Sequence, residues 1–157
     1  MILIGGKALV ALGSSRSTKD TDYLVCWNDK PMFINDPEAN IDYINAAASN
    51  FFASIYESEK GNEIASPQAL LELKAYAFVQ HCQNMNFQKA DDCEYDIKFL
   101  VRNFDVKDLS RVEKVLSNSE LKEVQKIINN VRVWSISIEL KLRQLWRGLT
   151  NIVKGKK

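Results

Sequence analysis

Apolar positions near the start of the chain fall in short runs divided by glycine and by polar clusters. Ile2 to Ile4 is an apolar run stopped by Gly5-Gly6. Lys7 to Leu12 is a stretch of mostly good helix formers that ends at Gly13. Asp22 to Trp27 is rich in β-favouring residues and runs into the turn-like Asn28-Asp29-Lys30-Pro31. The order predicted is strand, glycine turn, short helix, loop, strand. Ile41 to Ile44 predicts a third strand, and Ala46 to Tyr56 a helix on which Ala47, Phe51 and Ile55 share a face. Ser66-Pro67 starts another helix, because serine caps and proline suits the first helical position; Leu70, Leu71, Leu73, Ala77 and Phe78 continue it. Asp96 to Leu100 and Leu109 to Leu116 predict further helical turns. Towards the end, Ile136, Ile138, Leu140 and Leu142 alternate as in a strand, whereas Ile138, Leu142, Leu145, Leu149 and Ile152 keep a helical spacing that runs further, and length favours the helix.

All three prolines and most of the turn chemistry lie in the first two thirds of the 157 residues, and the remainder reads as amphipathic helix with few breaks. The expected class is therefore α/β (α+β): an α/β domain over 1–104 and a helical region over 105–157 packed on it. No period of 20–50 residues repeats. A chain of this length hides roughly 68–70% of its extended-chain surface on folding, so it forms a core without staples.

Charge changes the picture little. With 21 Lys and Arg against 20 Asp and Glu, no bulk field holds a nucleic-acid backbone, and such contact would need a local basic patch. Lys141, Arg143, Arg147, Lys154, Lys156 and Lys157 tilt the last helical region basic, which suits an RNA acceptor or a protein partner, although a solvated helix face explains them as well. Cys26, Cys82 and Cys93 are odd in number and show no metal-finger spacing, so a reducing, cytoplasmic setting is expected, with Cys82 and Cys93 packed as small apolar groups. No apolar stretch reaches the about 18 residues of a membrane span, and the first one is too short for a signal peptide, so no membrane partner is expected. His81 is the sole histidine and reads as a helix surface residue.

The chemistry concentrates in Gly5-Gly6-Lys7-Ala8-Leu9 and Gly13-Ser14-Ser15-Arg16-Ser17-Thr18-Lys19-Asp20-Thr21-Asp22-Tyr23. Asp20 and Asp22 stand two apart at the start of a strand, so the pleat turns both carboxylates to one face. A hard cation such as Mg²⁺ prefers that kind of site, sharing its oxygen ligands between one or two carboxylates and substrate phosphates. Glycines ahead of a short helix let the backbone approach a phosphate. Ser14, Ser15, Arg16, Ser17, Thr18 and Lys19 add hydroxyls and two cations beside the acidic pair. The plainer alternative is a solvated turn, a bend and surface ion pairs of little energetic value.

The segment from Gly5 to Val25 resembles the signature of the nucleotidyltransferase fold superfamily, the DNA polymerase β-like group. It is similar above all to the branch of abortive-infection-type nucleotidyltransferase toxins, whose pattern runs Gly-Gly, helix, Gly, Arg, Thr, Asp-x-Asp. Ile64-Ala65-Ser66-Pro67 with Leu70, Leu71 and Lys74, then Lys89, Asp92 and Asp96-Ile97 with Leu100, resembles that branch's second block. The two blocks span about the first 100 residues. The resemblance implies a short mixed sheet flanked by helices, in which Gly5 and Gly6 cradle nucleotide phosphates. Asp20 and Asp22 would hold Mg²⁺ or Mn²⁺, with a third carboxylate from a neighbouring strand. Asp42, among apolar neighbours, suits that place better than Asp36 or Glu38, which lie in a proline-containing loop. Arg16 and Lys19 would offset phosphate charge, Ser14, Ser15, Ser17 and Thr18 would donate hydrogen bonds, and Lys74 would face the nucleotide. The implied activity is transfer of a nucleoside monophosphate from an NTP such as ATP to a hydroxyl of RNA (tRNA included), protein or a small molecule, in a toxin–antitoxin or phage-defence setting. A catalytically inactive relative that binds a nucleotide or a partner is the alternative.

Overall fold

The computed structural model describes residues 1–26 and 39–131. Expectations that fall on Trp27 to Glu38, or on the alternating and basic segment from 132 onwards, lie outside the described residues.

Strand β1 (Ile2–Ile4) buries Ile2 and Ile4 on one face and passes directly into helix α1 (Gly5–Ala11). The glycines expected to form a separate turn are thus the first residues of the helix. Gly5 turns the corner with φ +68°, a conformation that a side chain disfavours. Strand β2 (Thr21–Val25) runs antiparallel to β1, with Ile4 opposite Asp22, and strand β3 (Ile41–Asn45) runs parallel to β2 in register, with Asp22 opposite Asp42. The result is a mixed three-stranded sheet in the order β1-β2-β3. Tyr23 and Tyr43 stack across one face, ring centroids 5.8 Å apart, so the period of two puts Asp22 and Asp42 on the other.

The helix expected from Ala46 is interrupted. A 3₁₀ turn at Ala46–Ala48 is capped by Asn45 Oδ1, which accepts from Ala47 N at 2.9 Å. The chain then extends at Ser49, whose Oγ accepts from Phe52 N at 3.1 Å and starts α2 (Asn50–Glu59). Ser66 caps α3 (Pro67–Gln83) as expected, accepting from Ala69 N at 3.2 Å. Five successive residues of α3, Ala69 to Leu73, are buried, so this helix is covered on more than one side and forms the centre of the molecule. Each of its buried leucines contributes on the order of 1.5–3 kcal/mol of apolar burial.

Helix α4 (Phe87–Phe104) packs along α3 and carries Ile97, Leu100 and Val101 into the same core. The turns expected at Asp96 to Leu100 are its second half. Asp105, in the left-handed region at φ 51°, ends it. The helical turns expected over Leu109 to Leu116 are present as one 3₁₀ turn, Val112–Lys114. Glu72 of α3 fastens this turn to the core, its Oε1 taking the backbone N–H of Arg111 at 2.7 Å and of Val112 at 3.2 Å. Those donors are then committed to a neighbouring helix. The last described element, α5 (118–131), opens with a reciprocal cap in which Glu120 Oε2 accepts from Ser117 N at 2.7 Å and Ser117 Oγ accepts from Glu120 N at 3.4 Å. Val124, Ile127, Ile128 and Val131 of α5 join the core. The class is α+β, with helices grouped around a small mixed sheet. Among the described residues, no helix is long and apolar enough to cross a membrane.

Candidate functional site

A cleft of about 400 Å³ opens on the Asp22 face of the sheet, between the β1–α1 corner, α3 and the start of α4. That size is within the range of small-molecule sites. Asp22 lies against the corner so closely that a Cβ on Gly5 would meet its Oδ2 at 1.8 Å, and a Cβ on Gly6 would meet Thr18 Oγ1 at 2.9 Å. Both glycines are therefore required by close approach, and Thr18, Asp20 and Asp22 share the wall with them.

Charge in this wall is unevenly balanced. Burial pushes the Asp22 carboxyl up from its ordinary value; Lys74 pulls it back, Asp42 and Asp20 push it further up, and Lys89 opposes them. Two further carboxylates, Asp42 on β3 and Asp20 just before β2, thus act on Asp22. Asp42 stands beside Asp22 at the adjacent-strand spacing of roughly 4.8 Å between backbones. It is exposed and is not part of the cleft wall.

Helix α3 supplies the opposite wall. Lys74, Ala77 and His81 recur every three or four residues, so one face of the helix lines the cleft over about 10.5 Å. Lys74 Nζ pairs at 2.9 Å with Oδ2 of Asp96, a fully buried residue of α4. Arg16 reaches the same Oδ2 with Nη1 and lies 3.7 Å from Asp92 Oδ2 with Nη2. The other Asp96 oxygen, Oδ1, is buried with no hydrogen-bond partner among the described residues.

The expected site residues separate into two groups. Gly5, Gly6, Arg16, Thr18, Asp20, Asp22 and Lys74 all line the cleft. Ser14 is buried, its Oγ accepting from Arg16 N at 3.4 Å, and serves the loop's own conformation. Ser15 Oγ lies 3.3 Å from Tyr95 Oη. Ser17 and Lys19 are exposed outside the cleft wall. Arg16 needs correction in its role: its guanidinium is committed to Asp96 and Asp92, so it acts first as a cross-link between the loop and α4. His81 is also corrected, from helix surface to cleft wall; the spacing Lys74, Ala77, His81 carried that signal. Burial, then Lys89 and Lys74, push its imidazole down, against Asp92, which favours the neutral ring at neutral pH. Cys93 is buried as expected, but Cys82 is exposed.

Among the described residues, no three His, Cys, Asp or Glu side chains converge into a ready-made metal cage. The donor set nonetheless fits Mg²⁺ or Mn²⁺ in the mode in which two carboxylates share the ion with substrate oxygens. Asp20 and Asp22 provide the two, side by side in the cleft wall. No family model matches the chain, and comparisons with curated proteins and with solved structures found no match.

Proposed function

We propose that the protein is a metal-dependent nucleotidyltransferase that moves a nucleoside monophosphate from an NTP to a hydroxyl acceptor. The observation that carries this reading is the contact between Asp22 and Gly5, with Asp20 and Thr18 in the same wall and Lys74 opposite. Acidic groups fit a cation there, and the lysine fits the phosphates around it. A divalent cation bound at Asp20 and Asp22 would favour the ionised acceptor hydroxyl and steady charge on the departing pyrophosphate.

The chain's own residues do the rest. Gly5 and Gly6 let the Asp22 carboxylate and Thr18 close against the β1–α1 corner, Thr18 offers a hydroxyl, and Lys74 offsets phosphate charge from a fixed position. The transfer joins the acceptor oxygen to the α-phosphorus and releases pyrophosphate, so no protein nucleophile is needed. Asp42, opposite Asp22 on β3, is the third carboxylate we assign to the metal side of the site. The three free cysteines suit a reducing cytoplasm.

The test is label transfer from each α-labelled NTP to total RNA or lysate protein, in Mg²⁺ or Mn²⁺, beside an Asp20→Ala/Asp22→Ala variant. Labelling by the wild type alone is the expected result. Equal labelling by both, or none by either while NTP still raises the melting temperature of the variant, overturns transfer and leaves nucleotide binding.

A further inference from the structure

Part of the cleft wall is aromatic. Phe52 of α2 and Tyr76 of α3 both line it, half-buried, with their rings edge to face and centroids 5.5 Å apart. Phe51, 3% exposed, packs behind both, at 5.4 Å from Phe52 and 5.2 Å from Tyr76. With its innermost ring in the core, the cluster holds the outer two in place, and a flat guest meets a surface that loses little side-chain freedom on binding.

The apolar wall continues through Ile44, Leu73 and Ala77, whose side chains offer no hydrogen bond. Gln80, the amide in this wall, gives its Nε2 to Gln83 Oε1 at 3.2 Å. Ile44 follows Asp42 by two residues on β3, and the Leu24–Ile44 rung follows the Asp22–Asp42 rung on the same face. The strand rise puts these rungs roughly 6.6 Å apart. That is about the reach of a ribose between its 5′-phosphate and its base.

Resting on the reading above, we propose that Phe52 and Tyr76 seat the heterocycle of the nucleotide between the face of one ring and the edge of the other, 79° apart, rather than by its hydrogen-bonding edge. The site therefore accepts purine and pyrimidine nucleotides alike. Every base has a π-face, so a seat made chiefly of aromatic and apolar side chains discriminates weakly.

Calorimetric titration with ATP, GTP, CTP, UTP and tripolyphosphate in MgCl₂ tests this on the wild type, Phe52→Leu, Tyr76→Leu and Tyr76→Phe. The four nucleotides are expected to bind the wild type within about fivefold of one another. Each Leu variant is expected to weaken all four by about tenfold and leave tripolyphosphate unchanged, whereas Tyr76→Phe keeps wild-type affinity. Discrimination among bases beyond about a hundredfold by the wild type alone overturns the proposal, as do Leu variants that bind nucleotides unchanged. An equal loss of tripolyphosphate affinity, or loss in Tyr76→Phe, also overturns it. If the wild type binds neither tripolyphosphate nor any nucleotide, the transferase reading falls with it; if tripolyphosphate binds and the other expectations fail, this inference falls alone.

Discussion

Lys74 Nζ lies 2.9 Å from Asp96 Oδ2, and Arg16 meets that same oxygen from the loop after α1. One buried carboxylate therefore fixes two cations of the cleft wall and ties three parts of the chain together. The Arg16 and Lys74 side chains are 17% and 13% exposed, so losing the carboxylate strips Lys74 of its ion-pair partner and leaves Arg16 with Asp92 alone. Asp96→Ala is expected to cost about 3–5 kcal/mol in urea unfolding. Asp96→Asn, which keeps the shape and one acceptor, is expected to cost less.

Gly5→Ala combines a positive φ with a collision against Asp22 Oδ2, whereas Gly13→Ala has a positive φ of 94° and nothing within 4 Å of the added carbon. Gly13→Ala is expected to destabilise by about 1 kcal/mol, from backbone strain alone. Gly5→Ala is expected to exceed it by a further 1–3 kcal/mol or so and to displace the Asp22 carboxylate. Paired thermal melts, with and without Mg²⁺-NTP, separate the two contributions.

Asp22 has its folded-state carboxyl above the ordinary value of 3.8, chiefly through burial. Its contribution to stability is therefore full below 3.8 and is lost as pH rises through the raised value, and at neutral pH its ionisation is a cost. Asp22→Asn is expected to melt higher than the wild type at pH 7 and to lose label transfer. The gap is expected to close as pH falls towards 4, which melting curves in a pH series check.

Glu59 behaves in the opposite sense. Burial alone would raise its carboxyl, but the backbone N–H and hydroxyl of Ser66, with Asn62, more than offset this and hold it below its ordinary value. The stability it contributes is full above 4.5 and is lost as pH falls through the lowered value. Glu59→Gln is expected to cost about 1–2 kcal/mol at pH 7, and that difference is expected to shrink in acid.

Glu72 is fully buried and accepts from the backbone N–H groups of Arg111 and Val112 and from Arg111 Nε. Arg111→Ala keeps both backbone bonds, so Glu72→Ala is expected to be the worse variant, by about 1–3 kcal/mol. Hydrogen exchange at the amides of residues 111 and 112 is expected to quicken in Glu72→Ala and much less in Arg111→Ala.

Short-range chemistry made much of this fold legible. The Ile2–Ile4 strand, the Ser66 cap with Pro67 after it, and the strand at Ile41 follow from propensity and capping within a few residues. The places where sequence misleads are those where a distant side chain intervenes. Glu72 fastens the turn at Arg111 and Val112 about 40 residues away, and Asp96 claims Arg16 across 80 residues. Within the site, Asp20 and Asp22 share the cleft wall as their two-residue spacing suggests, whereas Gly5 comes against Asp22 through the β1–β2 pairing, which spacing does not show. The aromatic wall is not legible in the sequence, because Phe52 and Tyr76 come from separate helices and no spacing links them.

At the outer side of β1, Leu3 N donates to Glu63 O at 2.8 Å and Ala65 N donates to Leu3 O at 3.0 Å. The segment around Ile64 thus occupies the hydrogen-bonding groups that a bare edge strand would leave unpaired. A second molecule has no ladder to extend on that flank unless it first peels this segment away, and the edge is guarded against ribbon-like self-assembly by the chain's own backbone.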